Sequence, residues 1–106
     1  MEWFLTVLRR NQLGEREQIR LKVYFSGNVQ GVGFRYTAYR VAARYRVAGY
    51  VKNLKDGRVE LVVEGEASEV ERFLTSLNEI MKSYIIDEER QQEMYLGEFR
   101  RFEIAY

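Results

Sequence analysis

The order of periodic segments predicts an α+β fold of split β-α-β type, two helices packed on one face of an antiparallel sheet. Three observations carry this expectation. Alternating apolar and polar residues recur in several short runs. Two segments between those runs place apolar residues three and four positions apart. Taken along the chain these give the order β-α-β-β-α-β, followed by a short fifth strand at the C-terminal end. A chain of 106 residues can bury one core but not two, so residues 19–106 are expected to form a single domain behind an extension, residues 1–18.

In residues 1–18, Trp3, Phe4, Val7 and Leu8 fall at helical spacing before Gly14, which admits a short amphipathic helix. At that length a helix is marginal in water unless its apolar face docks, so packing of the Trp3 face on the domain stands against fraying or a partner contact. Ile19, Leu21, Val23 and Phe25 then alternate with Arg20, Lys22 and Tyr24, the period of a half-buried strand.

Residues 26–35, S-G-N-V-Q-G-V-G-F-R, follow and hold Gly27, Gly31 and Gly33, three of the eight glycines in the chain. Glycine permits positive φ and lets backbone N–H groups converge without Cβ obstruction. Phe34, Ala38, Val41, Ala42 and Tyr45 next form one helical face, placing the first helix at 34–46. The glycine stretch therefore opens onto a helix N-terminus, the geometry of an anion cradle. A strand-to-helix turn that needs glycine only to change direction would look the same.

Residues 48–52 and 58–65 are extended runs joined by Asn53-Leu54-Lys55-Asp56-Gly57, which supplies turn chemistry, so they read as a hairpin. In the second of these strands Val59, Leu61 and Val63 are expected on the core face, with Glu60, Val62 and Glu64 on a mostly wet one. Ser68 and Glu71 have capping-box spacing ahead of Val70, Phe73, Leu74, Leu77, Ile80 and Met81, the apolar face of a second helix. A fourth strand is expected near 84–94, patterned on Tyr84 and Ile86, and a fifth over 102–106.

This topology makes a geometric prediction. A first helix of roughly 12 residues descends about 18 Å, and the second strand climbs back at about 3.3 Å per residue. The glycine loop, the start of the first helix and the end of the second strand should share one edge, bringing Arg35 and Asn53 to one site. Arg35 is a cation in a helix's first turn, opposed by the macrodipole, which suggests a bound anion; an exposed arginine with no ligand is the plainer reading. Asn53 equally suits the first position of a turn.

Composition excludes much else. The chain has no cysteine, histidine or proline, which removes disulfides, thiolate zinc sites and imidazole bases or ligands. Seventeen basic residues against sixteen acidic leave a net charge of +1, too little for a global field drawing nucleic acid or an anionic membrane. The loop matches neither the dinucleotide G-x-G-x-x-G order nor the G-K-[ST] ending of a P-loop, and no strand carries the aromatic RNA-binding motif. The eight tyrosines are expected at core rims, Phe99-Arg100-Arg101-Phe102 as a solvated edge, and Glu88, Glu89 and Arg90 as plain surface. A cytoplasmic, monomeric protein without cofactor or metal is expected.

The segments S-G-N-V-Q-G-V-G-F-R-Y (26–36), G-Y-V-K-N-L-K-D-G-R-V-E (49–60), E-G-E-A (64–67) and G-E-F-R-R-F-E-I-A-Y (97–106) together resemble the acylphosphatases, over about residues 19–106. The resemblance implies a ferredoxin-like α/β sandwich and metal-independent hydrolysis of acyl phosphates to a carboxylate and inorganic phosphate, the phosphate acting as product or inhibitor. It implies that Arg35 and the loop of Gly27, Asn28, Val29, Gln30, Gly31, Val32 and Gly33 bind the substrate phosphate. It also implies that Asn53 positions the attacking water, whose proton passes to the phosphate itself. Asn28 stands where many members carry a basic residue, Leu54 where some carry a hydroxyl, and residues 81–96 lack the family's G-P-P-like segment. A non-catalytic phosphoanion-binding module on the same fold is the alternative.

Overall fold

The computed structural model describes residues 16–106, so the helix expected near Trp3 lies outside the described residues. The elements are β1 (Gln18–Gly27), α1 (Phe34–Ala42), β2 (Val47–Asn53), β3 (Val59–Glu66), α2 (Ala67–Met81), β4 (Ile85–Glu93) and β5 (Phe102–Ala105). Among the described residues no helix is long and apolar enough to cross a membrane.

The five strands form one sheet in the order β4-β1-β3-β2-β5. Three of its four pairings are antiparallel, while β5 runs parallel to β2 with Ile104 opposite Val51 and Ala105 opposite Lys52. The four strands β1–β4 are antiparallel as expected, and the added C-terminal strand, which runs parallel, makes the sheet mixed. β4 ends beside Arg20, at the end of the sheet where β1 begins, and β5 starts beside Gly49 at that same end but on the opposite edge. The chain therefore crosses under the sheet before climbing again, and a strand that enters at the end where β2 starts must run with it.

The core lies between the sheet and the helices. Leu21, Val23, Phe25, Val51, Leu61 and Val63 meet Ala38, Val41, Val70, Phe73, Leu74 and Leu77, all buried. At roughly 25 cal/mol per Å² of apolar surface removed from water, these contacts are the main term holding α1 and α2 to the sheet.

The other face of the sheet is drier than the alternation in β3 predicts. Val62 is fully buried and Glu64 only 4% exposed. The cause is the crossing segment, residues 94–101. The Glu64 carboxylate accepts the backbone N–H groups of Leu96 (2.8 Å), Gly97 (3.2 Å) and Glu98 (3.2 Å), and faces Arg20 at 3.4 Å. Phe99 lies against Tyr50, ring centroids 5.9 Å apart, with the Arg20 guanidinium 5.2 Å from its centroid. Phe99 is thus part of this cover, and Phe102 is core, packed on Phe73 at 5.3 Å, rather than members of a solvated edge.

Other boundaries differ for local reasons. α1 ends at Ala42, not near 46, because Arg44 and Tyr45 donate their N–H groups three residues back, to Val41 and Ala42, in tight turns. Tyr45 still packs on Phe73 and bonds Ser76 through its hydroxyl at 2.5 Å, which explains why it falls on the helical spacing. The capping box of Ser68 and Glu71 does not form. β3 runs straight into α2 with Glu66 as the N-cap, so Ser68 already lies inside the first turn, and the Ala67 N–H is accepted by the Glu17 carbonyl at 2.9 Å.

β4 carries a bulge, since Ser26 pairs with Asp87 but Gly27 with Ile85. The alternation changes phase there: Ile85 packs on the core while Ile86 is 85% exposed. Ile80 of α2 also faces solvent. Glu88 and Arg90 are not plain surface, because Asn78 donates to Glu88 at 3.0 Å and Arg90 bonds Glu71 at 3.0 Å, tying the edge strand to α2.

Candidate active site

The loop between β1 and α1 is pinned at both ends and in the middle by apolar side chains. Phe25 lies near the end of β1, Phe34 opens α1, and their rings meet at 4.9 Å across the loop. Val29, between them, is fully buried. Anchors at these positions leave Gly31 and Gly33 on the outside, both at φ 77°, the left-handed region. Gly33 is the N-cap of α1. A side chain there would bring a Cβ penalty of about 1–2 kcal/mol, so glycine lets the chain turn sharply into the helix.

Gly27 has a different reason. At φ 123° a Cβ would stand 2.6 Å from the Tyr84 carbonyl oxygen, and that carbonyl accepts the Asn28 N–H at 2.9 Å. Gly27 and Asn28 thus fasten the loop to the chain entering β4. The Asn28 amide is engaged, and only its side chain is at liberty to meet a ligand.

Farther along, the N–H groups of Val29, Gln30, Gly31, Val32 and Gly33 have no backbone acceptor among the described residues. They precede a helix whose first turn holds no acidic residue, so the amide dipoles and the α1 macrodipole reinforce one another.

Arg35 sits in that first turn. It forms no ion pair among the described residues, and its guanidinium lies 5.0 Å from the centroid of the Tyr106 ring. An arginine held by an aromatic face keeps its donor fork available.

Asn53 ends β2 on the same alternation as Val51, which is fully buried, so its side chain turns toward the helix side of the sheet. Its Oδ1 is buried and has no hydrogen-bond partner among the described residues. Leaving a buried acceptor unmade costs about 1–3 kcal/mol, and such an atom calls for a functional or solvent partner. Turn formation does not use it: the turn after Asn53 is closed by Leu54 N–H to Arg58 O (2.8 Å), Gly57 N–H to Leu54 O (3.2 Å) and Arg58 N–H to Asp56 Oδ1 (3.1 Å).

The geometric expectation holds at this edge. One cavity of about 240 Å³ is lined by Val29, Gly31, Gly33, Arg35, Asn53 and Tyr106, among others, bringing together residues eighteen positions apart in the chain. Gln30 does not line it. Its Nε2 instead donates to Leu54 O at 2.7 Å and Arg58 O at 2.9 Å, lashing the loop to the turn that follows Asn53.

Sequence reasoning missed Ile104 and Tyr106 as lining residues and Gln30 as a tether. The first two become visible only once β5 is known to run parallel to β2, since Ala105 opposite Lys52 carries Tyr106 to the level of Asn53. No spacing rule marks the tether.

Comparison with known proteins agrees with this architecture. The sequence profile of the acylphosphatase family matches residues 21–104. An acylphosphatase of Archaeoglobus fulgidus is 40% identical over 88 residues, 83% of this chain and 99% of the relative. The crystal structure of the acylphosphatase from Bacillus subtilis superposes with a TM-score of 0.74 at 31% identity, covering 83% of this chain and 99% of that one. T. kodakarensis HypF is similar over 83% of this chain and 12% of its own, with a TM-score of 0.72 at 33% identity. With its mixed five-stranded sheet and two helices among the described residues, and a profile match over most of its length, the chain belongs to the acylphosphatase family.

Proposed function

We propose that the protein hydrolyses acyl phosphates to a carboxylate and inorganic phosphate without a metal, using Arg35, the amides of residues 29–33 and Asn53. The observation that carries this reading is the convergence, on one cavity, of loop N–H groups, an arginine and a buried amide oxygen that have no partners among the described residues.

The phosphoryl group of the substrate sits against the loop amides and the α1 N-terminus, with the Arg35 fork on two of its oxygens. Hydrogen bonds to a charged group contribute about 1.5–3 kcal/mol each, and donors already fixed by Phe25, Val29 and Phe34 need no rearrangement as charge shifts in the transition state. Asn53 orients a water without removing its proton. The water oxygen forms a bond to phosphorus while the bond from phosphorus to the acyl oxygen breaks. The electron pair of that bond leaves with the carboxylate, and the water's proton passes to a non-bridging phosphoryl oxygen. A carboxylate is a good leaving group, so no protein acid is needed on the departing side, which suits a site whose ionisable side chains, among the described residues, are Arg35, Tyr36 and Tyr106.

The test is hydrolysis of benzoyl phosphate with chelator present. Arg35→Ala is expected to lose turnover by about 100-fold or more together with phosphate inhibition. Asn53→Ala should keep phosphate inhibition and lose turnover. Full activity in Asn53→Ala would remove the assigned role, and phosphate binding without hydrolysis by the wild type would leave a non-catalytic phosphoanion module.

A further inference from the structure

The crossing segment is pinned on both sides of Phe99 and Arg100. On one side the Glu64 carboxylate accepts the N–H groups of Leu96, Gly97 and Glu98, and on the other the Arg101 carbonyl accepts the Gly49 N–H at 3.1 Å. The space flanking the pinned stretch is not filled. Phe99 and Arg100 line one cavity of about 600 Å³ toward β5 and another of about 290 Å³ toward the start of β1. The larger falls within the roughly 300–1,000 Å³ of sites that enclose a small-molecule ligand.

The walls of this far-face crevice say what such a ligand would be. Tyr50 and Phe99 both line the larger cavity, their ring centroids 5.9 Å apart and their planes at 68°. An edge-on contact leaves ring surface free to line the space, and ring surface takes a planar partner whatever its substituents. The floor is low, because β2 and β5 contribute Gly49 and Ala105 to it, residues without bulk.

The charges there do not cancel. Among the described residues three carboxylates border the two cavities, and each is engaged: Glu64 by three N–H groups and Arg20, Glu98 by Arg20 at 2.5 Å, and Glu103 by Arg101 at 2.6 Å. Arg46 and Arg100 border the same space and form no ion pair among the described residues. The local excess is positive, and a guanidinium beside aromatic surface recognises a planar anion.

We propose that the far-face crevice is a second ligand site, taking a small molecule in which a planar aromatic ring carries an anionic group. The ring lies against Tyr50 and Phe99, and the anion meets Arg100. The site goes beyond the hydrolytic reading and does not depend on it, since the cavity at the glycine loop shares no lining residue with either far-face cavity. A free phosphate satisfies the glycine loop but offers the crevice no ring.

The experiment titrates 5′-AMP and, separately, indole-3-acetate into Arg35→Ala protein, whose cradle has lost its cation, and follows the amide signals of Gly49, Phe99, Arg100 and Ala105. Both probes should move these signals saturably. Adenosine and ribose 5-phosphate, the two halves of the nucleotide, should each bind at least about fivefold more weakly there, because one lacks the anion and the other the ring. Arg100→Ala in the same background removes an exposed side chain without a carboxylate partner, so the fold is expected to survive, and both probes should weaken by about tenfold or more. Tighter binding of 5′-AMP than of indole-3-acetate would assign the site to nucleotides, and the reverse order to aromatic acids; either supports it. Unchanged affinity in Arg100→Ala, equal affinity for adenosine or ribose 5-phosphate, or shifts confined to Gly31 and Gly33 would overturn the site while leaving the hydrolytic reading untouched.

Discussion

Gln30 offers the sharpest test of how the cradle and Asn53 are held together. Gln30→Met keeps the length and shape of the side chain but removes both donors, those reaching Leu54 O at 2.7 Å and Arg58 O at 2.9 Å. A typical intramolecular hydrogen bond contributes about 0.5–1.5 kcal/mol net, so two set a ceiling near 3 kcal/mol. Neither carbonyl is orphaned by the change. Leu54 O keeps the Gly57 N–H and Arg58 O keeps the Leu54 N–H, so the added penalty of a stranded acceptor does not arise. The expected loss in urea unfolding is therefore about 1–2 kcal/mol.

Turnover should suffer in a way that stability alone does not explain. The tether fixes the distance between the loop amides and the turn adjoining Asn53, and misplacement by about 1 Å can cost around 100-fold in rate. Steady-state hydrolysis of benzoyl phosphate should show kcat down by about tenfold, with inhibition by inorganic phosphate changed by less than about threefold, because the amides of residues 29–33 remain in place. Gln30→Glu should be worse than Gln30→Met on both measures, since it sets a carboxylate against two carbonyl oxygens. A Gln30→Met protein of wild-type stability, or Gln30→Glu outperforming it, would refute the reasoning. Lost stability with unchanged kcat would reduce the tether to a structural clip.

Gly33→Ala should destabilise by about 1 kcal/mol net, the left-handed penalty less the reduced freedom of the unfolded chain, and should weaken phosphate inhibition in parallel. Glu64→Ala leaves Arg20 without its buried partner and three N–H groups without an acceptor, so a loss of about 3–5 kcal/mol and fast hydrogen exchange across residues 94–101 are expected. Burial and the bond to Glu60 at 2.9 Å push the Tyr50 phenol up to about 12, above the value near 10 of an unfolded chain. The native state holds that proton more tightly, so the contribution is complete below about pH 10 and is lost as pH rises toward 12. Tyr50→Phe should therefore unfold with a shallower alkaline limb than wild type over that window, and equal slopes would remove the assignment.

What the sequence revealed and what it concealed divide along physical lines. The apolar face of α2 and the alternation of β1 are signals carried by one element alone, since burial of a stripe or a face depends on period. The shared edge of Arg35 and Asn53 followed from rise per residue and topology, again without any tertiary contact. The features that escaped depend on distant partners. Ser68 and Glu71 have capping spacing, yet the first helical N–H is satisfied by Glu17 and Glu71 is drawn to Arg90, fifty and nineteen positions away. The bulge at Gly27 reverses Ile85 and Ile86, and a periodic reading cannot register an inserted residue. The dry far face depends on residues 94–101 lying over it, and Glu64, which alternates with Val63 along β3, reads as solvent-facing until that cover is known.

The same distribution of partners would let a chain of net charge +1 hold the anion site proposed above at the glycine loop. Arg20, Arg58, Arg72, Arg90 and Arg101 are each paired with a carboxylate, and Arg20 alone meets Glu64, Glu93 and Glu98. Those pairs neutralise one another on the far face, the edge strand and the hairpin turn. Among the described residues no carboxylate lines the cavity at the glycine loop, and α1 begins with none in its first turn. The local field is therefore set by where acidic residues are missing. Balanced charges elsewhere contribute little beyond a screening length of about 8 Å at physiological salt, whereas Arg35, the loop dipoles and the helix terminus act at contact distance. Placing Asp or Glu at Tyr36 or Ile104 would weaken phosphate binding more than adding the same charge to β4, although the net charge changes equally.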